Sequence, residues 1–378
     1  MSIFEEEHDL FRQSFRSFLN DRIVPRIDEF EKAQIMDRTL FAEAGSHGFL
    51  GMAIPEQYGG GGVDDFRFNA IIDEELAYAQ AGAGPGGFTL HNDITTPYFV
   101  EYCTDEQAAR WLPGIASGEL ITAIAMTEPG TGSDLASIAT TAVRDGDEYI
   151  VNGAKTFITN GINSDLVITV CRTGEGRGGL SLLVLERGMP GFERGRNLDK
   201  IGQHSGDTAE LFFDDVRVPA ANLLGEEGKA LEYLQFNLAQ ERLSIGVSGL
   251  ATAEAALGWT VDYVKERQAF GQAIAGFQNT KFVLAEVSTE IAVTRPFIEQ
   301  SITKLNEGTL SPADAARAKL WASELQGRVV DRCLQLFGGY GYMNEYPIGR
   351  AYADARIARI YGGTSEIMKT IISKDVLG

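Results

Sequence analysis

Residues 148–161, Glu148-Tyr-Ile-Val-Asn-Gly-Ala-Lys-Thr-Phe-Ile-Thr-Asn-Gly161, decide how this chain is read. Aromatic and β-branched residues alternate with polar ones and stop at an Asn-Gly pair, the pattern of a strand running into a tight turn. The same reading extends outward to TAIAMTEP (122–129), DLVITVC (165–171), GLSLLVLER (179–187) and AELFFDDVRVP (209–219), with Gly, Asp and Asn between them. On both sides the period changes to that of helices. Phe11, Phe15, Phe18 and Leu19 fall at helical intervals, and the N-terminal segment is interrupted by the glycine run from Tyr58 to Gly62. Helical periodicity returns near Lys229, persists through 279–305 and 312–337, and ends in a short helix beginning near Ser365. The expected architecture is α+β and multidomain, with a helical domain at 1–120, a β domain at 121–228 and a second helical domain at 229–378. The βαβ alternation of a doubly wound parallel sheet is missing.

A chain of 378 residues exceeds the size at which one hydrophobic core stops growing, so two or three packed units are expected. Its 33 basic and 53 acidic residues give a formal charge of −20, which argues against nucleic-acid binding and against docking on anionic lipid. An anionic ligand would then need specific arginines or helix N-termini. Cys103, Cys171 and Cys333 lack CxxC spacing, and His8, His47, His91 and His204 are equally dispersed, so neither a disulfide framework nor a zinc site is expected. The opening MSIFEEEHDLF is acidic where a targeting peptide would be basic, and no apolar run reaches membrane-spanning length. A cytoplasmic protein without membrane insertion is the expectation.

Several segments carry candidate chemistry, each beside a plainer reading. Met126-Thr-Glu-Pro-Gly-Thr-Gly-Ser133 leaves a strand into a turn where glycines permit close backbone approach to a ligand and hydroxyls add donors, or it is simply a β-turn. Phe157-Ile-Thr159-Asn-Gly161 can stack a planar ring and bond its edge, or can close a hairpin. Leu231, Leu234, Leu238 and Ile245 mark an apolar helix stripe that includes Glu241. A carboxylate there is either a satisfied buried acid or a base held for chemistry, since burying it unpaired costs several kcal/mol, roughly. Arg242 follows it and could serve Glu241 or a ligand phosphate. Arg267-Gln-Ala-Phe-Gly271, with Gln278 beyond it, and 334–347 with its Gly-aromatic cluster are either ligand loops or helix ends. IYGGTSEIMK (360–369) starts a helix whose free N–H groups favour an anion or a carbonyl oxygen, or merely caps it.

Taken in order, MTEPGTGSD, NGAKTFITNG, QERLSIG, RQAFG, QLFGGYGY and IYGGTSEIM resemble the signature segments of the acyl-CoA dehydrogenase family along essentially the whole chain. QERL, VTRPF (293–297), KLWASELQ (319–326) and YMNEYP bring it nearest the long-chain branch of that family. The resemblance implies a C-terminal four-helix bundle, FAD as cofactor, an acyl-CoA substrate of medium to long chain, a homotetramer, and electron-transfer flavoprotein as acceptor, in lipid metabolism and fatty acid β-oxidation. It places Met126, Thr127 and Ser133 along the flavin and thioester, Phe157 against the flavin ring and Thr159 near its N5 edge. Arg267, Phe270, Gln278, Gln335, Gly338 and Gly339 are implied to contact the FAD of a neighbouring subunit, and Thr364 and Glu366 to contact cofactor from the last helix. Ser133 and Arg242 are implied to bind substrate. Many members carry the catalytic glutamate where this sequence has Gly362, whereas the long-chain and isovaleryl branches carry it in an ERL sequence, here Glu241-Arg242-Leu243. Glu241 is therefore the implied α-proton base, with the Gly362 N–H a donor to the thioester oxygen. Pro85-Gly86-Gly87-Phe88 resembles the small-residue segment that accommodates a long acyl chain. Rival readings are an acyl-CoA oxidase or flavin monooxygenase on the same fold, and a catalytically silent CoA-binding protein.

Overall fold

The computed structural model describes residues 3–79, 84, 86–176 and 178–378. Among the described residues seven α-helices come first: α1 (Glu6–Phe18), α2 (Ile27–Ala33), α3 (Thr39–Ser46), α4 (Phe66–Tyr78), α5 (Gly86–Thr89), α6 (Thr96–Tyr102) and α7 (Asp105–Ser117). Helix α7 shows how local sequence sets its ends. Thr104 and Gln107 form a reciprocal cap at its start, and Gly118 closes it in the left-handed region at φ 73°. An aromatic cluster of Phe15, Phe18, Phe30, Phe41, Phe49 and Phe88 fills the core of this part.

Eight strands follow: β1 (Thr122–Ala125), β2 (Thr141–Asp145), β3 (Glu148–Thr159), β4 (Leu166–Arg172), β5 (Leu180–Glu186), β6 (Phe192–Asn197), β7 (Thr208–Pro219) and β8 (Leu223–Leu224). They form one sheet in the order β6-β7-β3-β2-β4-β5-β8, with β1 parallel to β4 through Thr122↔Leu166. Strands β3 and β7 pair antiparallel, Glu148 opposite Pro219 and Thr159 opposite Thr208, with register shifts at Val151/Gly153 and Lys155/Ile158. Strands β4 and β5 are buried along nearly their full length, because the sheet packs against the N-terminal helices on one side and closes over Tyr149, Leu183 and Leu211 on the other.

The last part is helical apart from a short hairpin, β9 (Gln268–Ala269) with β10 (Gln272–Ala273). Its helices are α8 (Ala230–Glu266), α9 (Gln278–Asn306), α10 (Pro312–Phe337), α11 (Pro347–Asp354) and α12 (Ser365–Leu377). The expected order of helices, sheet and helices is what the molecule shows. Helices α8 and α10 run close together because Gly246 and Gly249 face Ala318 and Ala322: a Cβ on Gly249 would lie 3.1 Å from the Ala322 carbonyl oxygen. Burial on α8 is not confined to the expected stripe. Leu234 and Ile245 are buried, Leu231 and Leu238 only partly, and every residue from Glu241 to Val247 is enclosed. An ion network ties this bundle to α4. Arg295 on α9 reaches Glu74 on α4 and Glu254 on α8, the latter through an Nε to Oε1 bond of 3.0 Å, while Tyr78 on α4 donates to Glu254 at 2.6 Å. Arg12 and Arg16 on α1 hold Glu75 from the other side.

Candidate active site

Glu241 sits where α8 enters its fully enclosed stretch, with 3% of its surface exposed. Its Oε1 accepts a hydrogen bond of 3.0 Å from the Tyr98 hydroxyl on α6. Burial holds the Glu241 carboxyl up at about 7, against the pull of the Tyr98 hydrogen bond and the Arg242 charge. The same burial, with the Glu241 charge next, pushes the Tyr98 phenol well above its ordinary range, so Tyr98 stays a donor. A carboxyl poised near neutrality can accept a proton in working buffer and release it again.

The loop ahead of α12 faces this carboxylate's helix. Gly362 and Gly363 are both left-handed, at φ 63° and 99°, and a Cβ on Gly362 would lie 2.4 Å from Ile245 Cδ1, one helical turn beyond Glu241. Glycine at 362 thus leaves room that Ile245 occupies. Arg242 Nε donates to the Gly362 carbonyl at 3.4 Å, and Lys319 Nζ on α10 donates to the Gly363 carbonyl at 2.6 Å. Among the described residues the N–H groups of Gly362 and Gly363 have no acceptor in the protein. Thr364 caps α12, its hydroxyl accepting from the Ile367 N–H at 3.3 Å. Arg242 is itself buried, and burial lowers its pKa, partly offset by Glu241.

Behind Glu241, Ser244 Oγ lies 2.7 Å from Asp93 Oδ2 and 3.1 Å from Asp73 Oδ2. One hydroxyl has one proton to give, so the second short contact requires a proton on a carboxyl. Burial first, and Asp93 next, hold Asp73 well above the usual carboxylate range.

The other expected site residues fall in three places. Met126 and Thr127 lie beside β3: the Met126 carbonyl accepts from Lys155 Nζ at 3.0 Å, and the Thr127 carbonyl from the Thr156 N–H at 2.9 Å. Phe157 stands on that strand at φ 62° with 67% of its surface exposed, Thr159 is half-buried two residues on, and Ser133 is exposed. The register shift between Lys155 and Ile158 turns the Phe157 ring outward. A second group, Arg267, Gln335, Gly338 and Gly339, lines one groove of about 490 Å³ with Tyr263 and Tyr340. A Cβ on either glycine would meet open space. Phe270 is almost fully exposed at the β9–β10 turn, and Gln278 is exposed at the start of α9. Thr364 and Glu366 line a third hollow of about 260 Å³ with Arg356, Arg359 and Lys369. Of the small-residue segment, Pro85 lies outside the described residues, Gly86 faces open space, and Phe88 is packed edge-on to Phe41 at 4.8 Å.

These features suit an extended ligand with a planar ring and an anionic tail. The exposed ring at a strand end gives a stacking face, and the arginine-bearing groove with its two bare glycines gives polar backbone at close approach. Tyr98 and Lys319 were given no site role from sequence, since nothing in a helix pattern marks a tyrosine or lysine whose partner lies on another element, and Ile245 was read only as part of the apolar stripe.

A buried carboxyl held near pH 7, on a helix packed against a glycine loop with unbonded N–H groups, is an arrangement able to accept a proton from carbon beside a carbonyl. The chain matches three family models: "Acyl-CoA dehydrogenase, N-terminal domain" over 5–119, "middle domain" over 123–216 and "C-terminal domain" over 228–377. It is 48% identical over 379 residues to the long-chain specific acyl-CoA dehydrogenase, mitochondrial, of Sus scrofa, covering 99% of this chain and 87% of that protein. The crystal structure of an acyl-CoA dehydrogenase from Geobacillus kaustophilus superposes with a TM-score of 0.96 at 49% identity, covering 99% of both chains. An acyl-CoA dehydrogenase complexed with FAD from Bacillus anthracis aligns at 0.93 and 30% identity, covering 99% of this chain and 67% of that one. The chain belongs to the acyl-CoA dehydrogenase family, a class of flavin-dependent oxidoreductases. No helix among the described residues is long and apolar enough to cross a membrane.

Proposed function

We propose that this protein converts a medium- to long-chain acyl-CoA to the trans-2-enoyl-CoA, with Glu241 as the base. The observation that carries the reading is the enclosed Glu241 carboxyl, held near neutrality beside the Gly362 loop. The α-hydrogen of a thioester is weakly acidic, so its removal needs a base in reach and donors aimed at the oxygen that gains charge. Glu241 takes the α-proton, and the Gly362 N–H bonds the thioester oxygen as enolate character develops. Tyr98 holds the carboxylate on the side facing substrate and remains protonated throughout. Arg242, buried against Gly362, contributes positive potential for the CoA ester. FAD supplies the acceptor for the hydride that leaves the β-carbon. Phe157, Thr159, Thr127, Met126 and Ser133 would hold its ring end. Arg267, Phe270, Gln278, Gln335, Gly338, Gly339, Thr364 and Glu366 would hold the rest across subunits of a homotetramer. Electrons then pass to electron-transfer flavoprotein, in the cytoplasm.

The length assignment rests on the identity to long-chain specific enzymes and on the open space at Gly86. Anaerobic addition of acyl-CoAs of graded length to the yellow protein tests both reaction and length. Bleaching strongest with medium and long chains is expected. A preference for short or branched acyl groups would overturn the length assignment, and peroxide release during aerobic turnover would favour an oxidase.

A further inference from the structure

We propose that Lys319 is a positioning residue for the reaction, fixing the glycine loop that presents N–H groups to the substrate thioester. This rests on the reading of Gly362 as a thioester donor. Lys319 is fully enclosed on α10, and its one hydrogen-bond acceptor among the described residues is the Gly363 carbonyl at 2.6 Å. A buried ammonium with a neutral acceptor is costly, by several kcal/mol as an order of magnitude, and a carboxylate would be the economical partner. No salt bridge to Lys319 is present among the described residues, and Glu324 and Glu366 act on it only at a distance. Burial, and then the Arg242 charge, lower its pKa to about 8, which leaves it cationic at neutral pH.

Two successive glycines are the least constrained backbone a loop can have, free to flip either peptide plane. Here each carbonyl is held by its own cation, that of Gly362 by Arg242 from α8, which fixes the 362–363 plane, and that of Gly363 by Lys319 from α10, which fixes the 363–364 plane. From the preceding side the Tyr361 N–H is tied to the Ile357 carbonyl at 3.2 Å. The 361–362 plane, which carries the free Gly362 N–H, thus has a tied plane on either side, and the Lys319 bond holds the next plane along. The two cations bond to carbonyls one peptide apart in this loop, so their field favours negative charge on an oxygen bound there. The close α8–α10 crossing at Gly246 and Gly249 brings Lys319 alongside Arg242. Helix packing, loop geometry and donor direction are therefore one arrangement.

The test uses the holoenzyme with Lys319→Met and Lys319→Gln, the latter keeping an N–H donor without charge. The probe is an enoyl-CoA labelled with carbon-13 at the thioester carbonyl, whose stretching band is read free and bound by infrared difference spectroscopy. Wild type is expected to lower the band on binding. Lys319→Met is expected to lose about half of that lowering and on the order of tenfold in kcat, with KM changed by less than about threefold. Lys319→Gln is expected to recover part of both. A wild-type-like band and kcat within twofold in a FAD-replete Lys319→Met enzyme would overturn the proposal. So would loss of FAD in both variants, which would make the lysine a stability element. No band change in wild type itself would instead remove the thioester-donor reading, whatever Lys319 does.

Discussion

Replacing Tyr98 by Phe removes one oxygen and, with it, the hydrogen bond of 3.0 Å to Glu241. That bond favours the ionised carboxylate, so its loss must raise the Glu241 pKa above the value of about 7 at which burial now holds it. A hydrogen bond to a charged acceptor contributes about 1.5–3 kcal/mol, and one to the neutral acid about 0.5–1.5 kcal/mol. The difference, about 1–1.5 kcal/mol, is close to one pKa unit. At pH 7.5 the ionised fraction then falls from about three quarters to about one quarter, a roughly threefold loss that disappears above about pH 9. The assay is kcat/KM against pH, which reports the free enzyme's base. An alkaline displacement of the rising limb with an unchanged plateau is expected. A limb that stays in place, or a uniform loss at every pH, would refute the assignment of that limb to Glu241.

Gly362→Ala should destabilise the protein and cut activity, because a left-handed non-glycine residue costs about 1–3 kcal/mol and its Cβ meets Ile245 Cδ1 at 2.4 Å. Adding Ile245→Ala should restore part of the lost thermal midpoint, and strict additivity of the two changes would contradict the steric account. Asp73→Asn should gain stability on wild type as pH rises. The folded-state pKa of Asp73 lies above its unfolded value, so the wild type loses stability from about pH 4 upward as the unfolded chain ionises and the folded one resists. Thermal midpoints of both proteins across that range check it, and a pH-independent difference would count against it.

Much of this was legible in the sequence, and the reasons are local ones. Strand β3 announced itself through alternation and Asn160-Gly161, and α10 through a helical period ending at paired glycines. Glu241 was found by a stripe that understates its surroundings, because α8 is packed on nearly every face around it and Asn237, outside that stripe, is buried as well. Family signatures gathered Met126, Thr127, Phe157 and Thr159, and the structure sets the first pair beside the strand that bears the second. Tyr98 was invisible because its partner lies 143 residues away on another element. Lys319 reads in a helix as a solvated cation until the close α8–α10 crossing encloses it. Burial by a neighbouring helix is a tertiary event, and no single-helix period contains it.

The claim that Glu241 is the base is tested most directly by exchange of the substrate's α-proton with solvent. A 3-thiaacyl-CoA binds as substrate does and resists hydride loss at the sulfur-substituted β-position, so its deuterium uptake at the α-carbon reports proton removal alone. In heavy water, wild-type holoenzyme should exchange that position, and Glu241→Gln should bind the ligand with similar affinity and exchange it slower by a factor on the order of a thousand or more. Exchange at an undiminished rate in Glu241→Gln would show that another group takes the proton.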